Sequence, residues 1–172
     1  PFWSHAFNVA LHAANTLLTW MVLRRLTDRS GGFTPRLNLL AATLGAAVFA
    51  VHPLNVETVA WVTARKVGFC HFFAMLSFLV LLARGARSGA LILSLVFFAL
   101  GLLSDARVLA LPLIMAVWFA GFEGWRPARV SRVFAPFVVL LVAGGVSRAF
   151  FSLTDRDLIA NIGHVPAWWK QI

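Results

Sequence analysis

The sequence predicts an all-α fold, a polytopic transmembrane helix bundle of about six spans joined by short loops. Three observations predict it. The chain of 172 residues is 60% hydrophobic and 12% charged, whereas a soluble domain is about half apolar and a quarter charged. Its mean hydropathy is +0.84. Apolar runs recur along it, with the basic residues between them. The net charge of +9 therefore belongs to the loops, and without a basic-aromatic platform it does not indicate a nucleic-acid partner.

The apolar stretches run over 7–23, 37–51, 67–83, 89–103, 108–121 and 133–150. A span needs about 20 residues, so flanking residues must lengthen several of them. The first stretch has polar residues before and inside it and no small-residue cleavage site, unlike a signal peptide. The stretch 89–121 as one helix would be about 50 Å long, well beyond a hydrocarbon core of about 30 Å. "SDAR" at 104–107 breaks it, and a tight helical hairpin is expected, with a re-entrant pair as the alternative. "DRSGGFTPR" and "RGARSG" read as turns. Residues 1–150 form the membrane domain. The tail 151–172 is weakly amphipathic and is expected to be extracytoplasmic or interfacial. The sequence opens on "PFWSHAF" without an initiating Met, and a fragment of a longer chain is expected. Cys70 is the only cysteine, so there is no disulfide framework and no Cys-based zinc site.

Charge sets the orientation. One set of connections holds Arg24, Arg25, Arg29, Arg36, Arg84, Arg87, Arg126, Arg129 and Arg132 against two acids. The other holds Arg65, Lys66, Arg107, Arg148, Arg156 and Lys170 against four. The positive-inside rule places the first set in the cytoplasm. Trp3, Trp20, Trp61, Trp118 and Trp125 fall near span ends, as an aromatic belt would.

Two groups of polar residues need a reason. His5, Asn8, His12, Asn15 and Thr19 are spaced 3, 4, 3, 4, which is one face of a helix. Lipid offers such a face no partners, so it is expected to meet protein or a wet cavity. Hydrogen bonding between helices is the favoured reading. A polar pocket is the second. The third makes His12 an axial ligand for a haem- or chlorophyll-type pigment, with His71 as another candidate. His5 and His12 lie about 10 Å apart along the axis and cannot share one metal.

The other group is "HPLNVETVAWVTARK", from His52 to Lys66. Pro53 ends the preceding helix. From Val56 a short amphipathic helix is expected, with Glu57, Trp61 and Arg65 on one face. A carboxylate and a guanidinium at a membrane cavity suit a base or metal ligand and a phosphate clamp. An interfacial helix with snorkelling basic side chains explains the same residues, and on physical grounds alone it is favoured. Asp105 and Arg107 read as polar residues of an exposed turn.

His5, Asn8, His12 and Asn15, followed by Arg24-Arg25, by His52 to Lys66 and by "GLLSDARVLALP" at 101–112, resemble the C-type glycosyltransferase superfamily. They are most similar to the bacterial relatives of the tetratricopeptide-carrying O-mannosyltransferases. The resemblance covers roughly residues 4–125. It implies transfer of a sugar from a polyprenyl-phosphate carrier on the extracytoplasmic side of a bacterial inner membrane. It also implies that His52, Glu57, Arg65 and Lys66 lie in the second extracytoplasmic loop. Glu57 is then the candidate catalytic group, and Arg65 or Lys66 faces the lipid phosphate. The chain differs from the family at Val67, where an acid is usual, and at Asp105-Ala106, where a Lys-Pro-type pair is usual. The principal acid would precede Pro1, so these residues alone are expected to be inactive. The alternative is a non-catalytic transmembrane scaffold subunit of a larger complex, contacting lipid, pigment or other transmembrane subunits. No metal or nucleotide cofactor is expected.

Overall fold

The computed structural model describes residues 2–32 and 34–162. Among them it is all-α, with seven helices: α1 (Phe2–Ser30), α2 (Pro35–Val51), α3 (Leu54–Ala60), α4 (Arg65–Arg84), α5 (Ser88–Ser104), α6 (Leu111–Gly121) and α7 (Pro127–Ile162). Short 3₁₀ turns at Val62–Ala64 and Ala106–Ala110 lead into α4 and α6. Each predicted apolar stretch lies within one helix or, for 108–121, within the second 3₁₀ turn and α6.

The helix ends have local causes. Thr34 caps α2, its hydroxyl accepting from the Leu37 amide, and Pro35 occupies the first turn, where a missing N–H costs nothing. His52 is extended, with φ −64° and ψ 129°, as the residue before a proline is constrained to be. The chain bends there by 59° between α2 and α3. Gly85 closes α4 at φ +65°, a conformation that a Cβ disfavours. Asp105 accepts from the Arg107 amide at 3.0 Å and opens the second 3₁₀ turn. The break in 89–121 thus falls at "SDAR", and the chain reverses there.

The helices run alternately between two ends of the bundle. α1 and α2 are antiparallel, tied by Trp20 to Thr43 at 3.2 Å and by His12 to the Ala50 carbonyl at 3.0 Å. α1 and α4 are parallel, with Asn15 donating to the Gly68 carbonyl and Thr19 bonded to His71, both at 3.0 Å. α4 and α5 form a close antiparallel pair. Ser77 and Ser94 lie fully buried between them, each hydroxyl donating to the other's carbonyl at 2.9 Å, with the two hydroxyl oxygens also 2.9 Å apart. Small residues let helix backbones approach, and here they also leave no polar group unpaired. Phe98, Phe119, Phe137, Leu81, Leu82 and Met115 fill the core between α4, α5, α6 and α7.

Among the described residues, three helices are long and apolar enough to cross a membrane: α1, α4 and the Pro127–Val146 part of α7. The bent pair α2–α3 makes a fourth if it is one span. The expected count of about six is not confirmed. The physical reason is length. α5 has 17 residues, about 25 Å at 1.5 Å per residue, and Ala106–Gly121 is among the shorter apolar helices too. Both fall short of a hydrocarbon core of about 30 Å. The helices are compatible with integral membrane insertion. α7 passes residue 150 without a break, and 163–172 of the expected tail lie outside the described residues.

Among the described residues, the basic residues of the first set and Arg65, Lys66 and Arg107 of the second sit at opposite ends. The α1–α2, α4–α5 and α6–α7 connections, flanked by Arg29, Arg84 and Arg126, share one end, where Arg29 pairs with Glu123. The segment 52–66 and the turn 105–110 share the other.

Candidate functional site

The second end is where the chain's polar residues converge. The bend after α2 and the turn after α3 leave carbonyls without helical partners, as every helix end does. The stripe on α1 reaches them. Asn8 donates to the Val59 carbonyl at 3.1 Å and to the Trp61 carbonyl at 3.4 Å. His12 Nε2 lies 3.0 Å from the Ala50 carbonyl. Asn55 donates to the Phe49 carbonyl at 2.6 Å. Asn8 and Asn15 are buried and His12 is half-buried, while His5 is exposed. The face predicted from spacing therefore meets protein over four of its five positions, with backbone carbonyls as partners of Asn8, His12 and Asn15 and the His71 ring as the partner of Thr19.

The expected helix through Glu57, Trp61 and Arg65 does not form. α3 ends at Ala60, and Trp61 is extended at φ −96° and ψ 123°. A new helix starts at Arg65. The run holds no proline or glycine between Trp61 and Arg65, so the break is not local in origin. Asn8 provides for it, because its amide binds the Val59 carbonyl and shares the Trp61 carbonyl with the Ala64 amide. Arg65 then turns inward. Its Nε donates to Asn8 Oδ1 at 2.9 Å and its Nη2 to the Ser4 carbonyl at 3.3 Å. Its guanidinium lies 4.8 Å from the centre of the Phe7 ring. Arg65 braces the segment against α1, and two of its nitrogens are committed there.

Glu57 and Lys66 remain exposed. Glu57 lines a cleft of about 360 Å³ with Leu54, Asn55, Thr58, Ala64, Val67 and Arg107. Arg107 is 67% exposed and only loosely tied to Asp105, at 4.0 Å. The cleft thus joins a carboxylate and a guanidinium from segments 50 residues apart in number. Beside it, across Asn55, a cavity of about 380 Å³ is lined by His5, His12, His52 and an aliphatic wall that includes Val9 and Val56. His52 Nδ1 accepts from the Leu54 amide at 3.2 Å. Among the described residues no three of His, Cys, Asp and Glu are grouped to hold a metal ion.

The two pigment-ligand candidates sit in one stack. The His12, Phe49 and His71 rings lie 5.6 and 4.7 Å apart between successive centres. His12 Nε2 faces the Ala50 carbonyl and His71 Nε2 the Thr19 hydroxyl. These nitrogens are already engaged within the bundle.

No family model, curated protein or solved structure matches this chain. The site is therefore read from its own chemistry. Sequence reasoning placed Glu57 beside Arg65, whereas the cleft places it with Arg107. It took Arg107 for a turn residue, since nothing near either residue in the sequence signals their approach. It overlooked Asn55, which shapes both cavities. A polar residue two positions after a helix-ending proline was the available signal.

Proposed function

We propose that the chain is the membrane portion of a glycosyltransferase-like protein that uses a sugar linked to a polyprenyl phosphate. One observation carries the proposal. The segment with the more specific resemblance to such enzymes, 52–66, and the more weakly similar segment 101–112 contribute Glu57 and Arg107 to one cleft. Arg107 supplies positive charge for a phosphate and a fork that matches two oxygens, and exposed Lys66, next in sequence to the lining residue Val67, is assigned to the same anion. Glu57 is the group available to accept a proton from a sugar acceptor. Arg65 is assigned a positioning role, because its hydrogen bonds point into the bundle.

The test is transfer from a polyprenyl-phosphate sugar by the full-length parent protein in lipid. Lys66→Gln and Arg107→Gln should each weaken carrier binding by about 1.5–3 kcal/mol, the worth of a charge-assisted hydrogen bond. Melting should stay unchanged, because both side chains are exposed. Carrier affinity equal to wild type in both variants would remove the phosphate from this cleft.

The orientation proposed is the one charge favours, with 52–66 extracytoplasmic in a bacterial inner membrane. Thr63 and Ser88 are exposed at opposite ends. In intact cells, a cysteine at 63 should react with an impermeant thiol reagent. A cysteine at 88 should react only after permeabilisation. Cys70 is buried and competes little. Equal labelling at both positions would overturn this topology.

A non-catalytic scaffold subunit is the second reading. The internal pairing of the α1 stripe favours it, since Asn8, His12 and Asn15 bind the bundle's own backbone. On that reading Lys66 and Arg107 contact a neighbouring subunit, and the wild-type full-length parent protein shows no sugar transfer.

A further inference from the structure

A hollow larger than the Glu57–Arg107 cleft or the cavity beside it lies toward the other end. α5 and α7 run parallel and touch on their inner side through Phe98 and Phe137, whose rings are 5.2 Å apart. On the outer side the facing residues are Ala99, Ala135 and Pro136. These are too short to fill the gap, and a groove of about 820 Å³ results. That lies within the range of roughly 300–1,000 Å³ typical of small-molecule sites. Its walls include Ile92, Val96 and Val139, which are 63%, 48% and 66% exposed. Among the described residues the one charged side chain lining it is Arg132, in the second turn of α7, at the mouth nearest the basic end.

The charges at that end decide the occupant. The carboxylates there are Asp28 and Glu123. Asp28 is held by Arg24 at 3.1 Å and by Asn38 at 3.1 Å, and Glu123 by Arg29. Arg129 lies over the Trp125 ring at 4.1 Å. Arg132 has no carboxylate partner among the described residues. A second copy docking in the groove would bring no free carboxylate to it from this end, because its own two are engaged in the same way. A molecule with an anionic head and an apolar chain meets both demands.

We propose that the α5–α7 groove binds an anionic glycerophospholipid, with an acyl chain over Ala99, Ala135 and Pro136 and the phosphate on Arg132. The site is separate from the Glu57–Arg107 cleft and rests on the membrane reading alone, not on sugar transfer. It would anchor α7 to α5, which otherwise meet along a narrow inner seam.

The test uses the full chain in mild detergent, offered equimolar phosphatidylglycerol and phosphatidylcholine and read by native mass spectrometry. Wild type should retain phosphatidylglycerol about fivefold over phosphatidylcholine, the weight of one basic side chain near an anionic lipid. Arg132→Gln should abolish that preference, and Arg132→Lys should keep most of it. Ala135→Phe fills the groove and should lower retention of both lipids. Thermal melts of each variant would verify folding. An undiminished preference in Arg132→Gln, or full retention in a folded Ala135→Phe, would overturn the site. So would a dimer that Ala135→Phe disperses, which would make a second copy the occupant.

Discussion

Arg65→Ala should lower the stability of the full chain by about 2–4 kcal/mol. The change removes a charge-assisted hydrogen bond to Asn8 at 2.9 Å and a longer one to the Ser4 carbonyl. Such bonds are worth about 1.5–3 kcal/mol where they are shielded from water. It also removes the cation over the Phe7 ring, worth about 0.5–2 kcal/mol. Asn8 Oδ1 is then left inside the bundle without its donor. Arg65→Lys should recover part of the loss, because the charge returns without the fork. Thermal unfolding in detergent measures the effect, and amide exchange over 52–66 locates it. A double-mutant cycle with Asn8→Ala should show coupling of about 1–3 kcal/mol. If Arg65→Ala melts like wild type and 52–66 exchanges no faster, Arg65 is not a brace. The sequence alone suggested a different outcome, a loss of carrier binding with the fold intact.

Glu57→Gln should do the reverse. Its side chain is exposed at the cleft and forms no ion pair among the described residues, so folding should be unaffected. If Glu57 takes the acceptor's proton, its loss should lower sugar transfer by about 10²–10⁴-fold, the usual contribution of a positioned general base. The fall should appear in turnover rather than in carrier affinity, which the proposal assigns to Lys66 and Arg107. Transfer at the wild-type rate by the glutamine variant would remove Glu57 from the chemistry and leave the cleft a binding site only. A parallel loss of stability would instead make Glu57 structural.

Taken together, the two variants separate the residues that sequence reasoning had grouped. Glu57 and Arg65 were assigned one helix face, from an i, i+4 count that holds only while the helix continues. The helix stops at Ala60, and the residues part. Arg65 becomes a strut against α1, while Glu57 stays at the surface and acquires Arg107 as its counterpart. The resemblance pointed to Arg65, whose hydrogen bonds run into the bundle, whereas the guanidinium that lines the cleft with Glu57 is that of Arg107.

Much of the fold was legible because its causes are local. Apolar runs marked the helices, and His52-Pro53 ended α2 because a proline constrains the residue before it. "SDAR" broke 89–121 where Asp105 could cap a turn. The 3-4-3-4 spacing from His5 to Thr19 identified a face that lipid could not satisfy. Separation of the basic residues into two sets followed from the alternation of spans and loops. What each polar group would meet was not legible. Asn8 meets Val59, Trp61 and Arg65 more than 50 positions away, and Glu57 shares a cleft with Arg107 only because α4 and α5 pack closely enough to carry 107 back to 57. Periodicity and capping act within a few residues, so a sequence displays them directly. Hydrogen-bond partners across a bundle depend on where helices bend and how closely they approach, and those are properties of the packed whole.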